Sequence, residues 1–188
     1  DKIVDVIYVG ARPRGIRVTT DGKRAYVAVS TPMNKPYNPE DNKIIALDTG
    51  TGKVVASYEV GTDPEQLAVS PDGSLLYVAN EDAGTATVFD VQNNRQIATL
   101  VVGIEPEGVT ISPDGRWVYV MAETSHTVSV IDTQKRAVVK TFLVGARPRD
   151  AAFSPDGKRA YVSAEIGQTL SVVDTERNEV AATVQLGY

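Results

Sequence analysis

The chain has 188 residues, no cysteine, 42% hydrophobic residues and a formal net charge of −5. Without thiols it cannot build a disulfide framework, a thiolate zinc site or a covalent c-type heme attachment. The acidic balance argues against nucleic acid or an anionic lipid surface as partner, and no apolar run reaches the roughly 18 residues of a spanning helix, so no nucleic-acid binding and no membrane insertion are expected.

Residues 1–9 read as an outer strand, the fourth-type strand of a blade preceding the first full repeat. Then comes the phrase Val9-Gly10-Ala11-Arg12-Pro13-Arg14-Gly15, a short first strand, the turn Asp21-Gly22 and a second strand centred on Tyr26. A polar loop over 31–42 leads to a third strand ending at Asp48 and a fourth ending before Gly61. The phrase then returns as Val60-Gly61-Thr62-Asp63-Pro64-Glu65-Gln66, Val102-Gly103-Ile104-Glu105-Pro106-Glu107-Gly108 and Val144-Gly145-Ala146-Arg147-Pro148-Arg149-Asp150. Tyr26, Tyr77, Tyr119 and Tyr161 are 51, 42 and 42 residues apart, the period of a repeat array. Each repeat holds four β-branched and aromatic runs separated by turn signals, with no helical period. The expected fold class is therefore all-β: a β-propeller of four-stranded antiparallel blades, four of them in this chain, divided at 10–60, 61–102, 103–144 and 145–188.

The repeated carboxylates belong to turns. Asp48, Asp90, Asp132 and Asp174 end the third strands and suit Asx-turns, while Asp21, Asp72, Asp114 and Asp156 precede a glycine able to take positive φ. Strand counting gives five fourth-type strands against four of every other kind, and the chain stops where the next phrase would begin. A segment of a seven- or eight-bladed ring fits best; a closed four-bladed ring and two arcs closing one eight-bladed ring are the alternatives. The open arc would expose apolar faces and self-associate, as a homo-oligomer that closes the ring.

Loops from fourth to first strand and from second to third strand should share one face, at the channel mouth, where binding chemistry on a rigid scaffold tends to sit. The charges around each proline change sign by blade: Arg12 and Arg14, Asp63 and Glu65, Glu105 and Glu107, Arg147 and Arg149. They read either as pairs neutralising each other across blades or as a polarised mouth whose arginines grip a carboxylate or phosphate. Glu81, Glu123 and Glu165 share one register after the second strand, and if they converged they would suit a hard divalent cation. The loop over 31–42 contains a nine-residue insertion, and Met33 and Tyr37 supply apolar contact area there. His126 is the single histidine, a candidate base or lone metal ligand, and an axial ligand to heme iron only if it faces a cofactor in the channel.

The second strand Tyr77-Val78-Ala79-Asn80, with Val-Gly-x-x-Pro before the first strand and Ser-Pro-Asp-Gly after it, resembles the YVTN family of β-propellers across almost the whole chain. Thr19-Thr20-Asp21-Gly22 is the one departure. The resemblance implies an extracytoplasmic protein (periplasmic, secreted or cell-surface). The leading expectation is a non-enzymatic binding module for a protein or small-molecule ligand, with no cofactor and a divalent cation as the one candidate ion. The alternative is a lactonase-like metal-dependent hydrolase or a cofactor-bearing electron-transfer propeller; a purely structural array is the third reading.

Overall fold

A computed structural model of the chain describes residues 2–187. Four antiparallel sheets of four strands each follow one another along the sequence. Blade 1 is β1 (Pro13–Val18), β2 (Arg24–Val29), β3 (Lys43–Asp48) and β4 (Val54–Glu59), and blade 2 is β5 (Pro64–Val69), β6 (Leu75–Asn80), β7 (Thr85–Asp90) and β8 (Arg95–Val101). Blade 3 is β9 (Pro106–Ile111), β10 (Trp117–Ala122), β11 (Thr127–Asp132) and β12 (Ala137–Leu143), and blade 4 is β13 (Pro148–Phe153), β14 (Arg159–Ala164), β15 (Thr169–Asp174) and β16 (Glu179–Gln185). Each blade is a meander, and its innermost strand lies beside the innermost strand of the next. The fold is a β-propeller arc, as the repeat period predicts.

The core lies between blades. Tyr26, Ala28 and Ile44 of blade 1 meet Leu67, Leu76, Val78 and Phe89 of blade 2. Tyr77, Ala79 and Val88 meet Val109, Val118, Val120 and Ile131 of blade 3, and Tyr119, Met121 and Val130 meet Ala160, Val162 and Val173 of blade 4. Alternate residues of one strand thus serve opposite seams, which is why second strands read as unbroken apolar runs rather than as alternation. Blade 4 lacks a neighbour on its far side: there Tyr161 is 39% exposed, whereas Tyr77 and Tyr119 are buried. No core cluster joins blade 4 to blade 1 among the described residues.

The predicted turns form. Asp48, Asp90, Asp132 and Asp174 each accept main-chain N–H groups two or three residues on, at 2.9–3.2 Å. The aspartates of the Asp-Gly turns do the same for the residue two positions on, each at 3.0 Å, with φ between 69° and 73° at the glycines. One expectation changes: residues 2–9 pair with no strand. Among the described residues every third strand already pairs with the fourth strand of its own blade. Val9 packs instead on the outward face of blade 1, against the cluster of Ala25, Val27, Val29, Ile45 and Leu47. No helix is long and apolar enough to cross a membrane among the described residues.

Candidate functional site

The loop face is assembled from a repeated main-chain clasp. The amide just past each second strand donates to the carbonyl of the residue before the proline: Ser30 to Arg12 at 3.0 Å, then Glu81 to Asp63, Glu123 to Glu105 and Glu165 to Arg147, each at 2.9 Å. Asp63, Glu105 and Arg147 take left-handed φ values of 48°, 55° and 60° in these clasps, a conformation uncommon for side-chain-bearing residues. The clasp places the variable charged pairs of the inner strands beside the register of Glu81, Glu123 and Glu165.

The charges then pair across seams. Arg12 binds both oxygens of Asp63 at 2.8 and 3.0 Å, and Arg14 Nε donates to Glu65 Oε2 at 2.6 Å. On the other side Arg149 contacts Glu107 at 2.5 Å and also Glu123, while Arg147 reaches Glu123 at 3.1 Å and Glu165 at 3.5 Å. Basic blades 1 and 4 therefore neutralise acidic blades 2 and 3, the first of the two readings of the sign alternation. Within blades 2 and 3 acid also faces acid: Glu81 beside Glu65, and Glu107 beside Glu123, which share Arg149. Burial, and then the neighbouring Glu65, push the Glu81 carboxyl up to about 7. Burial, and then Glu123, push Glu107 up to about 7 as well, although Arg149 opposes the rise. Glu123 is held below the ordinary range: its burial works against ionisation, but hydrogen bonds from Arg147 and Glu107 outweigh it.

Glu81, Glu123 and Glu165 do not form one ligand set. Equal register sets them on successive blades, and the carboxylates close enough to share an ion among the described residues are a different three. Glu123 and Glu165 are taken up by Arg147 and Arg149. The carboxylates that do converge are Asp63, Glu65 and Glu81, each offering an oxygen within 4.8 Å of the others. That grouping escaped sequence reasoning, although a signal existed: Glu65 and Glu81, and likewise Glu107 and Glu123, are 16 residues apart. The offset joins an inner strand to the loop of its own blade.

Met33 and Tyr37 of the insertion are exposed and help line a cavity of about 380 Å³ that also touches Arg12, Asp63 and Glu81. Glu105 lies on the rim, accepting from the Thr124 hydroxyl. His126 stands in the turn joining β10 and β11, with φ 57° and Nδ1 2.7 Å from the Glu123 carbonyl. Main chain engages Nδ1 from both sides, the Glu123 carbonyl as an acceptor and the Arg147 amide as a donor, and Nε2 has no hydrogen-bond partner among the described residues. The amide of Arg147 lies 3.2 Å from the same Nδ1, so the ring bridges blades 3 and 4.

A family model described as "Cytochrome D1 heme domain" matches residues 39–142. Hydrazine synthase of Kuenenia stuttgartiensis is 27% identical with a TM-score of 0.81; the match covers 97% of this chain and 52% of that one. A functionally unknown protein from Desulfotomaculum acetoxidans is 18% identical with a TM-score of 0.82, covering 97% and 59% respectively, a likeness of fold. The chain thus spans between half and three-fifths of the length of these structures. No curated protein matches significantly. These likenesses overturn two expectations, the non-enzymatic binding module and the absence of a cofactor. The reason both went astray is physical: turn and strand residues recur in every blade and dominate the pattern, whereas an iron ligand needs one side chain and leaves no period. The matched span covers more than half of the sequence, and the chain belongs to the cytochrome D1 heme domain family.

Proposed function

We propose that this chain is the heme-bearing half of a larger redox propeller, with its cofactor on the loop face beside His126. The observation that carries the reading is the placement of that imidazole: main-chain groups of Glu123 and Arg147 hold Nδ1, and Nε2, without a hydrogen-bond partner among the described residues, is the nitrogen left to ligate iron in the Nδ1–H tautomer. His126 lies inside the family-matched span. Around it, exposed Ile104 and Ile166 on neighbouring loops offer apolar surface, and Arg147 and Arg149 offer guanidinium groups that suit ring carboxylates. Bound heme would supply one-electron chemistry. The chain's own residues hold and orient: the Glu123 carbonyl and the Arg147 amide fix the position of the imidazole, and the paired charges keep the rim rigid.

The same reading extends to matters of organisation. We infer YVTN-type repeats from the Val-Gly-x-x-Pro and Ser-Pro-Asp-Gly phrases, with blades at 10–60, 61–102, 103–144 and 145–188. Further blades, or a second copy closing the ring, would cover the open face at Tyr161, and the protein would work outside the cytoplasm.

Heme titration of the full chain, followed by its visible absorption and electron paramagnetic resonance, tests the proposal. Saturation at one equivalent with a histidine-ligated spectrum, lost in His126→Ala, is the expected result. Identical spectra for wild type and His126→Ala would remove His126 from the site.

A further inference from the structure

Glu65 is 1% exposed, yet its Oε1 has no hydrogen-bond partner. Its Oε2 is held by Arg14, and Arg12 Nη2 is 3.8 Å from Oε1, beyond hydrogen bonding. A buried carboxylate oxygen left bare is costly. The third carboxylate of the group, Glu81, sits in the same register as Glu123 and Glu165, which arginines occupy; Glu81 has no ion-pair partner among the described residues. Two ionised carboxylates side by side have no hydrogen to share. One proton on Glu81 would satisfy Oε1 of Glu65 and remove the repulsion together.

We propose that Glu81 is a proton-loading site, holding one proton at neutral pH in a hydrogen bond to Glu65 Oε1 and releasing it into the cavity beneath the blade 1 insertion. In the transfer the carboxylic O–H breaks, the proton passes to a base bound in the cavity, and the carboxylate regains a proton from hydronium or a buffer acid in the solvent. The groups facing Glu81 are consistent with that role. Arg12 and Arg14 from blade 1 are engaged by Asp63 and Glu65; Lys35 of the insertion and Asp82 line the cavity; Glu107 of blade 3 adds further negative charge. A divalent cation would have to compete with both guanidinium groups for the same oxygens, whereas a proton needs only the bare one. The inference stands on the side-chain geometry and does not depend on heme.

Infrared spectra of the full chain, recorded across pH, read the carboxylic C=O stretch directly. The expected result is a protonated-carboxyl band that titrates away with a midpoint near 7 and loses intensity in Glu81→Gln. Glu65→Gln removes the adjacent charge and should lower the Glu81 midpoint by about one unit or more. The side-chain amide introduced by Glu81→Gln can itself donate to Glu65 Oε1, so this variant should fold with an unchanged melting temperature at about pH 6. Absence of the band at about pH 6 would overturn the proposal, as would a band that Glu81→Gln leaves intact. Stoichiometric binding of Ca²⁺ or Mg²⁺ at neutral pH, abolished in Glu81→Gln, would overturn it in favour of a cation site.

Discussion

Tyr119 and Tyr77 occupy one position in successive blades, both fully buried, and their hydroxyls have different surroundings. The Tyr119 hydroxyl donates to Asn178 Oδ1 at 2.5 Å across the seam between blades 3 and 4, whereas the Tyr77 hydroxyl is buried with no partner. The residue standing to Tyr77 as Asn178 stands to Tyr119 is Arg136, which makes no such bond. Burial raises the phenol pKa at both positions, to about 12 for Tyr77, so both hydroxyls are neutral. Tyr119→Phe deletes a net-favourable bond and leaves a buried amide oxygen bare, a cost of about 1–2 kcal/mol. For a chain of this size that lowers the melting temperature by about 2–8 °C. Tyr77→Phe removes an unsatisfied hydroxyl and should be neutral or slightly stabilising. Differential scanning calorimetry of the two variants against wild type makes the comparison. Equal losses at both positions, or the larger loss at Tyr77, would refute the assignment of stability to the seam hydrogen bond.

A methyl group at Gly108 would meet the Arg149 carbonyl oxygen, a main-chain atom, at 2.3 Å; Gly108→Ala should therefore force the inner strands of blades 3 and 4 apart and cost about 2–4 kcal/mol, read as a lower denaturation midpoint. Arg149→Ala strips Glu107 and Glu123 of a shared partner on a half-exposed rim, for a loss of about 1 kcal/mol by urea unfolding, and raises the Glu107 midpoint further because Arg149 now lowers it. Stability should also follow pH in two directions. Glu81 and Glu107 have raised pKa values in the folded state, so their contribution is complete below the ordinary carboxylate range and is lost as pH rises through about 7. Asp72 and Asp114 are lowered, first by the hydroxyls of Ser70 and Ser112, so theirs is present above the ordinary range and disappears on acidification. Melting temperatures scanned with pH should peak on the mildly acidic side, and Glu81→Gln with Glu107→Gln should flatten the alkaline limb. An unchanged limb would mean that the carboxyl pairs carry no linked proton.

The fold was legible because its determinants are local. An Asp-Gly turn or an Asx-turn closes within four residues, and each repeat states both again. The sign alternation at Arg12, Asp63, Glu105 and Arg147 was equally plain, since those residues flank an unmistakable proline. Which groups meet was not plain, because it depends on the distance between sheets. Register put Glu81, Glu123 and Glu165 on one rim; Arg147 and Arg149 stand between Glu123 and Glu165, and Glu81 finds Glu65 of its own blade instead. His126 presents the same difficulty. Its placement comes from two main-chain groups, the Glu123 carbonyl at 2.7 Å and the Arg147 amide at 3.2 Å, and nothing in the residue types nearby announces it.

Gly84, His126 and Gln168 occupy the same corner of three successive blades, all with left-handed backbone at φ 64°, 57° and 50°. Blade 2 fills the corner with the residue that tolerates it at no steric cost, while blades 3 and 4 accept a modest strain to place a side chain there. The corner is thus an interchangeable socket. Exchanging its occupants, with His126→Gly and Gln168→His in one chain, would step the imidazole one blade around the axis while every strand keeps its register. A propeller of this kind can relocate a ligand by rotation, without redesigning the wall that carries it.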